Sequence, residues 1–179
     1  SRSSGAGGVD APVDIPKPTD PSLDVTRLRY SKASLAYPIN WKNYTRKNSV
    51  VVVPVGGIVD AGNGQGILAW GMIGGIAQVK GKDTPDTLRD RTQNVIAVLQ
   101  KENESMEVDK PPVDTTVDGR PALSTYLRND SPAGGPETDW LVTVIAPQGL
   151  YYYVFVSPTE DFPRFQSAFQ QILTSVQFQ

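Results

Sequence analysis

The apolar positions of this chain crowd toward its carboxy end and change period there. Leu141 to Ile145 and Leu150 to Val156 are nearly unbroken apolar runs joined by Ala146-Pro147-Gln148-Gly149, which reads as two strands around a tight turn. Successive side chains of a strand point to opposite faces, so runs such as Val142-Thr143-Val144 demand cover on both sides of the sheet. From Phe162 the period becomes helical, with Phe162, Phe165, Phe169, Ile172, Leu173 and Val176 on one stripe. Pro163 falls in the first turn of that helix, where its missing N–H is harmless, and Asp161 is the expected cap.

Upstream, Tyr30 to Tyr37 is an expected strand stopped at Pro38, with Trp41 anchoring the turn beyond it, and the β-branched run Ser49 to Val53 is a second. Val55 to Gly66 reads as a loop and Ile67 to Val79 as a third strand. Thr84-Pro85-Asp86 supplies a cap, a proline for the first helical position and an acid at the positive helix end. The helix that follows carries Leu88, Thr92, Val95, Ile96 and Leu99 on one face and is expected to end near Glu104. Asp118-Gly119 between Val113–Val117 and Ala122–Leu127 marks a hairpin. The fold class is therefore α+β, a mostly antiparallel sheet packed against helices.

Residues 1–27 have a different texture. Ser and Gly residues give way to Pro12, Pro16, Pro18 and Pro21, with isolated Val, Ile and Leu between them. Such a segment buries too little apolar area to offset chain entropy and is expected to be a linker before one folded domain at 28–179. The chain begins without Met, as expected of a mature or excised piece of something longer. No charge occurs from Ala61 to Val79, and Gly71 to Gly75 makes a GxxxG. Asn63, Gln65 and Gln78 nevertheless leave the apolar part short of the ~20 residues a spanning helix needs.

The 179 residues carry a formal net charge of −2 with 39% hydrophobic content, so no basic field exists to hold nucleic acid. Neither His nor Cys occurs, which removes His/Cys zinc sites, thiolate chemistry and a histidine base. No metal and no cofactor are expected. The loop Asp60-Ala61-Gly62-Asn63-Gly64-Gln65-Gly66 lacks the lysine of a phosphate loop and the oxygen ligands of a calcium loop, and reads as a strand connection. Glu102, Glu104, Glu107 and Asp109 run from a helix exit into a strand; as a pair of catalytic acids they would serve a hydrolase, as a solvated loop they serve nothing. Trp41, Lys42, Tyr44, Arg46 and Lys47 form a basic-aromatic cluster. With Trp70, Tyr151 and Tyr153 it supplies the candidate binding surface, Trp41, Lys42, Tyr44, Trp70, Tyr151 and Tyr153; against that, Trp41 reads first as a core anchor beside a solvated loop, and the tyrosines read as core or interface.

Two stretches resemble a known family. Leu35-Ala36-Tyr37-Pro38-Ile39-Asn40-Trp41, followed by Val50 to Pro54 and Gly56-Gly57-Ile58-Val59, is similar to the start of PsbP-like α/β/α sandwich domains. Gly119-Arg120-Pro121-Ala122-Leu123-Ser124, Asp139-Trp140-Leu141-Val142-Thr143 and Val154 to Phe162 are similar to their later part. More closely, residues 30–178 resemble the non-catalytic carboxy-terminal extension of bacterial zinc metallopeptidases related to the CAAX prenyl endopeptidase and BepA. The resemblance implies an antiparallel sheet between helices and an extracytoplasmic, periplasmic or secreted, home. Its zinc-binding His-Glu-x-x-His helix has no counterpart here.

The leading expectation is thus a non-enzymatic accessory or protein-interaction domain, with a protein partner or a covalently linked upstream peptidase domain. A stand-alone small-molecule- or carbohydrate-binding module, using Trp41, Trp70, Trp140 and Tyr151 to Tyr153 around a pocket, is the alternative. A His-free hydrolase working through carboxylates is the third.

Overall fold

The computed structural model describes residues 15–60, 62–77 and 87–179. A hairpin of β1 (Val25–Tyr30) and β2 (Ala33–Pro38) leads into β3 (Trp41–Thr45) and β4 (Ser49–Pro54). A ribbon of β5 (Ile58–Asp60) and β6 (Gly66–Leu68) precedes β7 (Gly71–Ala77) and α1 (Leu88–Glu102). Four long strands follow, β8 (Glu107–Val117), β9 (Arg120–Asp130), β10 (Pro136–Ala146) and β11 (Gly149–Pro158), and then α2 (Phe162–Thr174) and β12 (Gln177–Phe178).

Among the described residues, seven strands form one sheet in the order β3-β4-β7-β11-β10-β9-β8, antiparallel at every junction. The two apolar runs read in the sequence are its centre, β10 and β11, with Val144 opposite Tyr151 and Val142 opposite Tyr153. Alternation along β11 divides the core. Tyr151, Tyr153 and Phe155 pack with α2, whose Phe162, Phe165, Phe169 and Ile172 are buried; Val154 and Val156 pack with Ile96 of α1. The helices therefore lie on opposite faces, and the sheet is the middle layer of an α/β/α sandwich. Each large α2 side chain removed from water contributes about 1.5–3 kcal/mol, which makes α2 a principal stabiliser. On the other face α1 buries only Thr92 and Ile96; Thr92 Oγ1 meets Thr143 Oγ1 of β10 at 2.6 Å.

Several boundaries depart from the sequence reading. The expected strand Tyr30–Tyr37 is a hairpin, because Ser31 turns the chain with φ of 50° and Leu28, rather than a residue downstream, sits opposite Leu35. Residues 1–14 of the expected linker lie outside the described residues, and its end runs into β1, whose Val25 to Arg27 pair with Pro38 to Ala36. Residues 15–24 have no helix or strand, yet Ile15 packs on the α2-side core and Arg164 of α2 bonds Asp20 at 2.6 Å and the carbonyl of Pro18. The expected strand Ile67–Val79 is split between β6 and β7 at Ala69 and Trp70, both buried; Gln78 and Val79 lie outside the described residues. Thr84, Pro85 and Asp86 lie outside them too, and the side chain that caps α1 is Thr87, which accepts from the Asp90 N–H at 3.1 Å. Asp161 makes no side-chain cap on α2, being engaged elsewhere.

Hairpin β8–β9 turns at Asp118-Gly119 as expected, but both strands run to 11 residues. The sequence hides most of β8 because it carries Pro111 and Pro112 and is almost wholly exposed, which an edge strand tolerates. Its pairing with β9 also shifts register around Tyr126.

Candidate functional site

Helix α1 covers β9 and β10 but stops short of β7 and the outer part of β11, so this face of the sheet is only partly roofed. Ile73 of β7 remains 37% exposed, and Tyr152 of β11 is half-buried. The uncovered strip is a groove of about 670 Å³. Ile67 and Leu68 of β6 form one rim, and Leu99 and Glu102 of α1 with Glu104 and Met106 of its exit form the other. Its floor is Tyr152, Val154 and Val156 of β11 with Glu137 and Asp139 of β10. The volume lies within the range of ligand-binding clefts.

The floor carries the unusual chemistry. Glu137 and Asp139 are two apart on one strand and so share a face, and each is 4% exposed. Burial, then the hydrogen bond and charge of Asp139, push Glu137 up to about 10. Burial also raises Asp139, while the hydrogen bond from Glu137 opposes that rise. Two carboxyls this close in a desolvated setting do not both ionise near neutrality; one proton is retained on Glu137 and donated to the Asp139 carboxylate. Asp139 Oδ1 has no hydrogen-bond partner.

A scaffold of amides holds the pair. Asn129 lies directly across from Glu137 in the β9–β10 register, and its Nδ2 donates to Glu137 Oε2 at 3.5 Å and to Asn103 Oδ1 at 3.2 Å. Asn129 Oδ1 accepts from Ser105 Oγ at 2.7 Å, and Asn103 Nδ2 donates to the Leu99 carbonyl at 2.9 Å, closing the end of α1. The carboxyls are thereby tied to the helix that forms one wall of the groove.

Of the six residues expected to form a binding surface, four are core. Trp41, Trp70, Tyr151 and Tyr153 are at most 4% exposed. Trp41 packs against Phe165 and Phe169, with ring centroids 6.1 and 6.2 Å apart. Trp70 donates to Asp161, and Tyr153 is bonded to Tyr30. Lys42 and Tyr44 alone are exposed, on the edge strand β3, because there β3 has a neighbour on one side only. The aromatic pocket of the small-molecule alternative does not form from those rings: Trp140 is 7% exposed and stacked on Tyr126, and only Tyr152 reaches the groove. Of the four acids singled out in the sequence, Glu102 and Glu104 line the groove, whereas Glu107 and Asp109 face Arg128 at 3.5 and 3.9 Å on the sheet edge. In the glycine-rich loop, Asp60 Oδ1 accepts from the N–H groups of Gly62 and Gly64, an ordinary turn.

The apolar run starts only at Leu141, so the sequence pattern leaves Glu137 and Asp139 outside the strand that the structure begins at Pro136. A signal was present: two acids at i and i+2 run directly into an apolar strand, on the same face as Leu141 and Thr143, where burial was already required.

Comparison with solved structures decides the fold. The solution structure of the cyanobacterial PsbP (CyanoP) from Synechocystis sp. PCC 6803 superposes with a TM-score of 0.61 over 98% of this chain and 100% of its own, at 13% sequence identity. The fold is PsbP-like. A protein of unknown function, PA94 from Pseudomonas aeruginosa, shares the PsbP-like arrangement with a TM-score of 0.52 at 14% identity, over 84% of this chain and 94% of its own. A Bacteroides thetaiotaomicron protein is similar over 83% of this chain and 45% of its own, at 12% identity and a TM-score of 0.50. No family model and no curated protein sequence matches. Neither of the two helices described is long and apolar enough to cross a membrane.

Proposed function

We propose that this PsbP-like chain is a non-catalytic accessory domain that binds a protein partner through the groove on its α1 face. The observation that carries the reading is the incomplete roof over β7 and β11. A sheet face apolar enough to need cover is left with an open strip beside Ile67 and Ile73, both exposed, and a pair of buried acids at its floor. An extracytoplasmic setting and attachment to an upstream zinc metallopeptidase remain part of the proposal, supported by the resemblance of residues 30–178 to the extensions of such enzymes. A His-Glu-x-x-His helix encoded in the same reading frame before Ser1 would support that attachment, and a frame without one would remove it.

The groove reading is tested by selecting peptides from a displayed random library on the purified chain. Binding of the selected peptides is then compared for the wild type and Ile73→Arg, which fills the groove from a half-exposed position. The expected result is saturable binding that drops at least about tenfold in the variant, a difference of roughly 1.4 kcal/mol. Equal binding by both proteins would move the interaction to another surface.

A further inference from the structure

The charge lining the groove is one-sided. Glu102, Glu104, Asp130 and Asp139 contribute to it, beside the protonated Glu137, and no Lys or Arg does among the described residues. Asp139 lines the groove at only 4% exposure, and its Oδ1 has no hydrogen-bond partner. A buried acceptor with no donor is unfavourable, and a ligand that supplies the donor removes the penalty. Beyond the carboxyls the wall is aliphatic: Leu68, Leu99, Met106, Val154 and Val156 line the approach.

Resting on the groove as the binding surface, we propose that it recognises a lysine side chain of the partner polypeptide, with Asp139 as counter-ion to the ammonium. The chemistry of the lining matches that group in both of its parts. A lysine offers a flexible four-carbon stem that packs on aliphatic walls and a compact charge with three donors. Asp139 Oδ1 takes one donor, and the Glu137 carboxyl beside it takes a second. Asn129, bonded to Glu137, Asn103 and Ser105, keeps the two acids in register with the wall formed by the end of α1. An anionic ligand would meet the carboxylates of Glu102, Glu104, Asp130 and Asp139. A divalent cation would need more than two carboxylates close together, and no group of three or more metal-ligating residues occurs among the described residues.

The test uses small probes, so that it is independent of any selected peptide. Nα-acetyl-lysine methylamide and its uncharged counterpart, Nα-acetyl-norleucine methylamide, are titrated into ¹⁵N-labelled full chain and followed by amide shifts. Saturable shifts at Asp139, Val156 and Leu99 are expected with the lysine probe, and at least tenfold weaker binding with norleucine. Asp139→Asn is expected to lower lysine affinity by a similar factor, and the two-probe comparison on the wild type stands even if that variant folds poorly. Equal binding of the two probes, no shifts with lysine, or the same shifts from magnesium or calcium chloride alone would each overturn the assignment. If peptides selected on the groove lose affinity in Ile73→Arg but keep it fully in Asp139→Asn, the lysine assignment fails while the groove remains the binding surface.

Discussion

The indole N–H of Trp70 donates to Asp161 Oδ2 at 2.9 Å, joining the start of β7 to the entry of α2 across 91 residues. Both residues are buried, at 2% and 5% exposure. Asp161 Oδ1 faces outward to Lys17 at 3.3 Å and Arg164 at 3.7 Å. One carboxylate therefore links the segment before β1, the sheet and the last helix, and this is why it is not spent on capping α2.

Asp161→Ala leaves a buried indole N–H unpaired and is expected to cost about 1–3 kcal/mol. Asp161→Asn keeps an acceptor for Trp70 and loses only the ion pairs, whose cationic partners Lys17 and Arg164 reach solvent, so that their contribution is screened and small. Urea midpoints should therefore order as wild type, Asn, Ala, with Ala clearly lowest. Equal losses in the two variants would show that the charge, rather than the hydrogen bond, matters at this position.

Tyr30 and Tyr153 form a second cross-layer link, with their hydroxyls 2.6 Å apart and buried. It ties hairpin β1–β2 to the centre of the sheet. Tyr30→Phe should destabilise by about 1–2 kcal/mol, because Tyr153 is left unpaired, whereas the double variant with Tyr153→Phe should recover part of that loss. Additive losses in the double-mutant cycle would mean that the two hydroxyls do not depend on each other.

The centre of the fold was legible because its signals are local and strong. The runs of β10 and β11, the stripe of α2 and the Asp118-Gly119 turn all report residues with one structural option. Legibility failed where tertiary contacts decide. Ser31 turns a stretch readable as one strand into a hairpin without Gly or Pro, and prolines at an exposed edge conceal β8. The aromatic residues expected at the surface are core because α2 and hairpin β1–β2 cover the face of the sheet they occupy. For the groove, sequence showed two acids of the rim, Glu102 and Glu104. The two acids of the floor come together with them only when β10 passes beneath the end of α1, a relation no local pattern contains.

Phe165 and Phe169 are both 0% exposed and stack with centroids 6.0 Å apart on the stripe that faces the sheet. Phe165→Ala or Phe169→Ala should cost about 3–5 kcal/mol, a large share of a domain's ~5–15 kcal/mol. Gly57→Ala should be comparably damaging, since a β-carbon there would run into the Trp70 carbonyl and the Val53 side chain. At Gly64 a β-carbon meets open space, and the cost is confined to the positive φ of 81°, about 1 kcal/mol. Chemical denaturation of the four variants checks the order; a Gly64 variant as unstable as the Phe variants would place the β5–β6 loop in the core.

The buried acid pair has a signature in the pH dependence of stability. Glu137 has an ordinary value of 4.5 and is pushed up to about 10 in the folded chain, first by burial and then by Asp139. Between those values the folded state holds a proton that the unfolded state has released. Stability from this group is full below the lower value, declines as pH rises through the window and is gone above the upper one. For one proton the slope approaches about 1.4 kcal/mol per pH unit, and Asp139, raised by burial, adds to the same sign at the acid end. Unfolding free energies measured from about pH 5 to pH 9 should therefore fall more steeply for the wild type than for Glu137→Gln, which cannot ionise. At the alkaline end the variant should be the more stable protein, because its amide occupies the groove floor without taking up a proton that the unfolded chain has released. Parallel curves for the two proteins would mean that Glu137 titrates as an exposed carboxyl, and that the floor of the groove is open to water.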